Sequence, residues 1–284
     1  MSVVTPQLLQ QVVAAADQID AERQLPEPLV GSLKRAGLFR ALIPRSLDGL
    51  ELPLLEFMES VEQLAVADAS TAWCVTQGAV VGIVSAWVRP EVVAGLWRDP
   101  DTTVANGPPL DWLATPIAGG YELSGRWGFS SGCQHASTMI GAAPVADSRR
   151  WIMAVFPKDR AVFRDNWQVQ GLRGTGSFEF SVDKLNIDAC WAADMSQPPA
   201  HSGELYKIPM GLVFASSFAA VALGVARAGL DAVLALAADK VPGYSRQVLK
   251  DDARVQDQLG EAEVRWRAAR AYLHATVAQV VESL

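Results

Sequence analysis

The spacing of apolar residues changes twice along this chain, and that double change limits the folds open to it. Up to about residue 98 apolar positions recur at helical intervals, as in Leu8, Leu9, Val12, Val13, Ala16 and Ile19. From about 101 to 190 the helical interval stops and short alternating runs replace it, among them "YELSGRWGF", "WIMAVFP" and "SFEFSVDKLNI". Gly, Pro, Asp and Asn separate these runs, the pattern of short strands joined by turns. From about 205 the helical interval returns in "IPMGLVFASSFAAVALGVARAGLDAVLALAAD", and a second helix follows with an apolar face of Val255, Leu259, Ala262, Val264, Trp266 and Ala269. The order predicts an α+β chain in three parts: an N-terminal helical domain over 1–100, a middle antiparallel β-barrel or sandwich over 101–204, and a C-terminal bundle of two helices over 205–284. A β-domain set into helices leaves a crevice between the two, and ligands favour such junctions.

Charge and cysteine usage remove several function classes. The formal net charge is -7 with no block of Lys and Arg, so nucleic acid is not an expected partner. Cys74, Cys133 and Cys190 lie far apart with no CxxC, so neither a disulfide framework nor a metal site is expected. A reducing cytoplasm is the simplest location. The opening "MSVVTPQLLQQ" lacks the charged and apolar regions of a signal peptide. The run 208–225 approaches the length of a membrane span, but it is rich in Ala, Gly and Ser and flows into a charged helical continuation. A helix apolar on all sides needs cover on all sides, so the expectation is a buried helix at the centre of a bundle and no membrane.

The stretch "GGYELSGRWGFSSGCQHA" raises the functional question. Trp127 and Phe129 are followed by Ser130, Ser131 and Gly132, two hydroxyls and a glycine at a strand end. Two readings fit. One is a turn stabilised by serine hydroxyls. The other is a flat ligand lying on the aromatic rings, with small residues letting backbone and hydroxyl approach its polar rim.

"DASTAW" (68–73), "GGYELSGRWGFSSG" (119–132) and "GLRGTGSFEFSVDKLNI" (171–187), in that order, together with "RQVLKDDARVQDQLGEAE", resemble the acyl-CoA dehydrogenase superfamily. The likeness is greatest to its flavin-dependent monooxygenase branch, the oxygenase components of two-component aromatic hydroxylases. The resemblance implies FMN or FAD between β-domain and helices, supplied reduced by a separate flavin reductase, and a small aromatic or other electron-rich substrate. It places Phe129 and Ser131 along the flavin ring, with Trp127, Ser130 and Gly132 beside them and the Ser131 hydroxyl as a donor at the ring nitrogen N5. In "GLRGTGS" it implies a loop at the flavin or substrate edge, with Thr175 and Ser177 as hydrogen-bonding residues; a hairpin with glycine turns is the plainer reading. Arg173 pairs either a phosphate or an acid on a neighbouring helix. Trp73 is a pocket wall facing substrate or a core residue. Asn106, in "ANGPP", faces substrate or makes a turn before glycine. His135 is catalytic or structural. Arg246 matches a position that reaches the cofactor of a neighbouring subunit, or is a solvated loop residue.

Two departures from the family pattern follow. The family's last bundle has four helices and this sequence supplies two, so the expectation is a truncated bundle that exposes apolar surface and assembles as a homo-oligomer, a dimer or tetramer. A fragment of a longer frame, a degenerate paralogue and a short form covered by its oligomer all fit. Where relatives carry a histidine after "STAW", this chain has Val80, Val81, Gly82, Ile83 and Val84. An FAD-dependent acyl-CoA dehydrogenase is the alternative activity, but it needs a carboxylate base, and none occurs between Glu204 and Asp231. An inactive paralogue serving as a binding or scaffold protein is the second alternative.

Overall fold

The computed structural model describes residues 3–243 and 246–284. Five helices come first: α1 (Pro6–Glu22), α2 (Glu27–Arg35), α3 (Leu54–Ala67), α4 (Ala69–Gly82) and α5 (Pro90–Leu96). Their starts are written locally. Thr5 accepts the Leu8 amide at 3.2 Å to open α1, and Asp68 accepts the Thr71 amide at 2.6 Å to open α4, each satisfying one of the orphan donors of a first turn. Leu8, Val12 and Ile19 fall on one face of α1 and are buried there.

Eight strands follow: β1 (Val104–Asn106), β2 (Pro109–Ile117), β3 (Gly120–Ser130), β4 (Thr138–Pro144), β5 (Trp151–Pro157), β6 (Val162–Arg164), β7 (Phe178–Asp188) and β8 (Ala192–Ala193). They form two four-stranded sheets, ordered β1-β4-β5-β8 and β2-β3-β7-β6. Of the expected barrel or sandwich, the sandwich is what forms, since the two sheets stay separate. One pairing departs from the antiparallel expectation: β1 runs parallel to β4, with Val104 opposite Thr138. Between the sheets lies a core built on Trp127, Phe156, Phe180 and Met139.

Strand β3 carries the feature that shapes the site. Trp127 pairs with Phe180, but Ser130, not Phe129, pairs with Phe178. One extra residue is therefore inserted, a β-bulge, and Phe129 within it has φ +53°. In a regular strand residues 127 and 129 share a face. The bulge breaks that alternation, so Trp127 is fully buried while Phe129 is 62% exposed.

The last helices are α6 (Met210–Asp239) and α7 (Ala253–Glu282). Val213, Ala220 and Val221 of α6 and Val277 of α7 join the core of α1–α4, so the first and last parts of the chain share one apolar interior. Arg270 of α7 binds Glu62 of α3 at 2.8 and 3.0 Å, and the Trp266 indole donates to the Leu223 carbonyl at 2.9 Å. The run 208–225, expected to be buried all round, is covered only in part: Val213, Ala220, Val221 and Leu223 are buried where α6 packs among α3, α4 and α7, while Ala215 and Val225 are exposed, as are Val233, Leu234 and Leu236 farther along the helix. Val264 on the expected apolar face of α7 is likewise exposed. By length and composition Ala69–Trp87 and Met210–Asp239 each suffice to cross a membrane; 83% of the first window is buried within the protein and 22% of the second.

Candidate functional site

A cavity of about 430 Å³ lies where the end of β3 meets α4 and α6. Helix α4 contributes Trp73 and, one turn on, Gln77; helix α6 contributes Phe214 and Phe218 in the same one-turn relation. Trp73 stacks on Phe218 with ring centres 4.5 Å apart and planes 17° from parallel, tying the two helices together at the cavity wall. Asn106 enters from the end of β1, and its Oδ1 is buried with no hydrogen-bond partner among the described residues. Phe129 projects from the bulge and meets the edge of Trp167 at 6.0 Å and 86°. Phe129 and Trp167 both line the cavity, with Leu172 beyond them.

The polar edge is a line of hydroxyls. The Trp73 indole N–H donates to Ser131 Oγ at 3.0 Å. Ser131 Oγ lies 2.7 Å from Ser177 Oγ, which lies 2.6 Å from Thr175 Oγ1. Thr175 Oγ1 donates to the Leu172 carbonyl at 2.9 Å. The loop carrying Thr175 and Ser177 is fixed from behind. Arg23, just past α1, grips Asp165 at 2.6 and 2.9 Å and the Trp167 carbonyl at 2.9 Å. The Cys133 thiol donates to the Gly176 carbonyl at 3.4 Å and the Cys74 thiol to the Thr175 carbonyl at 3.9 Å. Burial pushes the Cys133 thiol up to about 11 and raises Cys74 as well, so both stay neutral donors.

Trp73, Asn106, Phe129, Ser131, Thr175 and Ser177, all singled out from the sequence, line this one cavity. The others stand elsewhere. Trp127 lies in the β-core, stacked on Phe180 at 5.0 Å, with its N–H on the Ala142 carbonyl. Ser130 is fully buried behind the strand and does not line the cavity. Gly132 has φ +77°, a turn conformation that favours glycine, and a side chain there would meet the His135 ring at 2.9 Å. Arg173 turns away to α1, where it binds the Asp20 carboxylate and carbonyl, each at 3.2 Å. Arg246 is exposed in the stretch between α6 and α7. The sequence reading missed Gln77, Trp167, Phe214 and Phe218. Helical spacing from Trp73 would have found Gln77, and the pair Phe214 and Phe218 carries its own one-turn signal.

His135 packs against Phe39, ring centres 5.1 Å apart, and not against the cavity. Burial, helped by the charges of Lys34 and Lys158, pushes its pKa down from 6.5 to about 3, so the ring is neutral in the fold. The unfolded chain takes up a proton near pH 6.5 that the folded chain refuses until about pH 3. Stability is thus lost as pH falls through that window, by about 1.4 kcal/mol per pH unit. Melting temperatures measured from pH 7 to pH 4 are expected to fall less steeply for His135→Gln than for the unaltered chain.

A second cavity of about 390 Å³ lies between α5 and the sheets, lined by Leu96, Val155, Ile187 and Trp191 among others, and holds none of the residues singled out from the sequence.

The sequence matches the profile described as "Acyl-CoA dehydrogenase, N-terminal domain" over residues 5–92 and that described as "Acyl-CoA dehydrogenase, C-terminal domain" over 216–283, together more than half of the chain. The chain belongs to the acyl-CoA dehydrogenase superfamily. Within that superfamily it is similar to indole-3-acetate monooxygenase of Pseudomonas putida, 28% identical over 274 residues covering 95% of this chain and 70% of that protein. It is similar also to the oxygenase component of p-hydroxyphenylacetate 3-hydroxylase of Acinetobacter baumannii, 29% identical over 95% of this chain and 67% of that one. Among solved structures, XiaF from a Streptomyces species, in complex with FADH2 and glycerol, superposes with a TM-score of 0.87 at 19% identity over 97% of this chain and 75% of that chain. An acyl-CoA dehydrogenase-like arrangement of helices, sheets and helices is thus common to both.

Proposed function

We propose that this chain is a flavin-dependent monooxygenase, the oxygenase component of a two-component system. Reduced FMN or FAD from a separate reductase, O2 and a small electron-rich aromatic molecule give oxidised flavin, hydroxylated product and water. The observation that carries this reading is the cavity between β3, α4 and α6: aromatic faces on several sides, a hydroxyl edge on one, and an unpartnered buried acceptor at Asn106. Its volume falls within the range of small-molecule and cofactor sites, about 300–1,000 Å³. Trp73, Phe214 and Phe218 offer apolar faces to a planar ring, while Phe129 and Trp167 shield it from water. Ser131 and Asn106 meet its polar rim. Bound, the reduced flavin supplies the two electrons that the splitting of O2 requires.

The dehydrogenase alternative asks for a carboxylate base at the ring. No Asp or Glu is among the described residues lining the cavity, which favours the oxygenase reading. The relatives act, by their names, on indole-3-acetate and p-hydroxyphenylacetate. The apolar walls fit substrates of that size. The three parts of the chain, 1–100, 101–204 and 205–284, are proposed as the units that meet at the site. Exposed Val225, Val233, Leu234 and Leu236 support assembly as a dimer or tetramer. Three free cysteines fit a cytoplasmic location.

The test has two steps. Anaerobic titration with reduced FMN and FAD is expected to saturate. Admission of 18O2 in the presence of indole-3-acetate or p-hydroxyphenylacetate is then expected to yield product carrying a single labelled atom. Bleaching of bound FAD by an acyl-CoA, without label in product, would transfer the chain to the dehydrogenases. Failure to bind flavin in either redox state would leave the scaffold role.

A further inference from the structure

The ends of the hydroxyl line fix the direction of every proton in it. An indole N–H only donates and a carbonyl only accepts. The Leu172 carbonyl also takes the Thr175 N–H at 3.1 Å and the Trp167 indole N–H at 3.4 Å, but its 2.9 Å contact with Thr175 Oγ1 brings two oxygens together and so needs a proton between them, which is the single threonine proton. Thr175 Oγ1 is then left as an acceptor, so the 2.6 Å contact with Ser177 carries the Ser177 proton. Ser177 Oγ in turn has only lone pairs for Ser131, and the 2.7 Å contact between them carries the Ser131 proton. At the far end Trp73 donates into Ser131 Oγ at 3.0 Å. All the protons point one way, from Trp73 through Ser131, Ser177 and Thr175 to Leu172. Such aligned chains also strengthen their own bonds.

The consequence falls on Ser131, which lines the cavity. Its one proton is committed inward and one lone pair takes the indole N–H. What remains for a ligand is a lone pair. This is the reverse of the donor role expected from the sequence.

We propose that Ser177 and Thr175 are positioning residues that hold the Ser131 hydroxyl as an acceptor and thereby make the site discriminate between redox states of a flavin. The inference rests on the flavin reading above. The reduced ring carries an N–H at N5, where the oxidised ring has a bare lone pair. An oxygen locked as an acceptor pairs with the first and repels the second. The same polarity serves any ring nitrogen that gains a proton on reduction.

The experiment compares dissociation constants for oxidised and reduced FMN, the latter under anaerobic conditions, together with the midpoint potential of the bound flavin. The unaltered chain is expected to bind the reduced form at least tenfold more tightly. Ser177→Ala releases the Ser131 proton, which then turns to the ligand. Thr175→Val keeps the shape but removes the terminus that sets the direction. In both variants the preference is expected to shrink about tenfold, which lowers the potential of the bound flavin by about 30 mV. Thr175→Ser restores the terminal hydroxyl and is expected to restore the preference. A structural role alone would weaken both forms alike and leave the potential unmoved. An unmoved ratio in well-folded Ser177→Ala and Thr175→Val, with both flavins still bound, overturns the proposal while sparing the flavin reading. No binding of either form by the unaltered chain overturns both.

Discussion

Trp127→Ala is expected to lower the free energy of unfolding by about 3–5 kcal/mol, the range for removing a large aromatic side chain from a packed interior. Trp127 is fully buried between the two sheets and stacks on Phe180 with planes 11° from parallel. The chain makes room for it: a side-chain carbon added at Gly141 would lie 3.0 Å from the indole, and one at Gly125 2.8 Å from it. Alanine at 127 leaves that space empty and also strips the Ala142 carbonyl of its 2.9 Å partner. Trp127→Phe separates the two contributions. It retains a ring against Phe180 and loses the N–H, so its penalty is expected nearer 1–3 kcal/mol, that of a buried acceptor left unpaired. Equilibrium denaturation of the three proteins measures both. A Trp127→Ala protein of near-normal stability whose flavin affinity has collapsed would return Trp127 to the cavity wall.

That contrast marks where sequence reading reaches and where it stops. The change from helical to alternating spacing located helices and strands because those periods follow from backbone geometry. The serines, threonine and aromatic residues of the cavity were legible because small polar residues after large aromatic ones are unusual at a strand end. Trp127 was misplaced for a definite reason. It stands two residues before Phe129, and a regular strand puts both on one face. The inserted residue at the bulge reverses that, and the one hint of it in "WGFSS" is Gly128, which marks a bulge or a close backbone approach equally well. For Arg173 the sequence left a phosphate and an acid on a neighbouring helix both open; the acid is Asp20, which lies far away in sequence, and only the docking of α1 brings the two together. The direction of the hydroxyl line depended on four contacts, two of them local to residues 172–177 and two that join Trp73, Ser131 and Ser177 from separate segments, so no local pattern held the whole of it. The exposed face of α6 follows the same logic: an all-apolar helix states a need for cover but does not say which sides the rest of the chain covers.

Phe129→Gly is expected to separate stability from ligand binding. At φ +53° Phe129 occupies the left-handed region, which costs a residue with a side chain roughly 1–2 kcal/mol. Glycine removes that strain and adds unfolded-state entropy worth about 0.5–1 kcal/mol against it. The ring is 62% exposed, so little buried surface is lost with it. The two backbone effects nearly cancel, and the unfolding free energy is expected to stay within about 1 kcal/mol of the original. Phe129→Ala retains the strain without the ring and is expected to be the less stable of the two variants. Binding goes the other way. Covering an aromatic ring against a ligand is worth about 1.5–3 kcal/mol, so either variant is expected to weaken flavin roughly ten- to hundredfold. Residues held in sparsely populated backbone conformations persist where the surroundings enforce them, and they cluster at ligand sites. Here the enforcing element is the bulge, fixed on one side by Trp127 against Phe180 and on the other by Ser130 against Phe178. The strain at 129 is thus the local cost of turning one aromatic residue out of a strand whose neighbouring aromatic is turned in. Unchanged flavin affinity in Phe129→Gly would mean that the bulge serves the sheet alone.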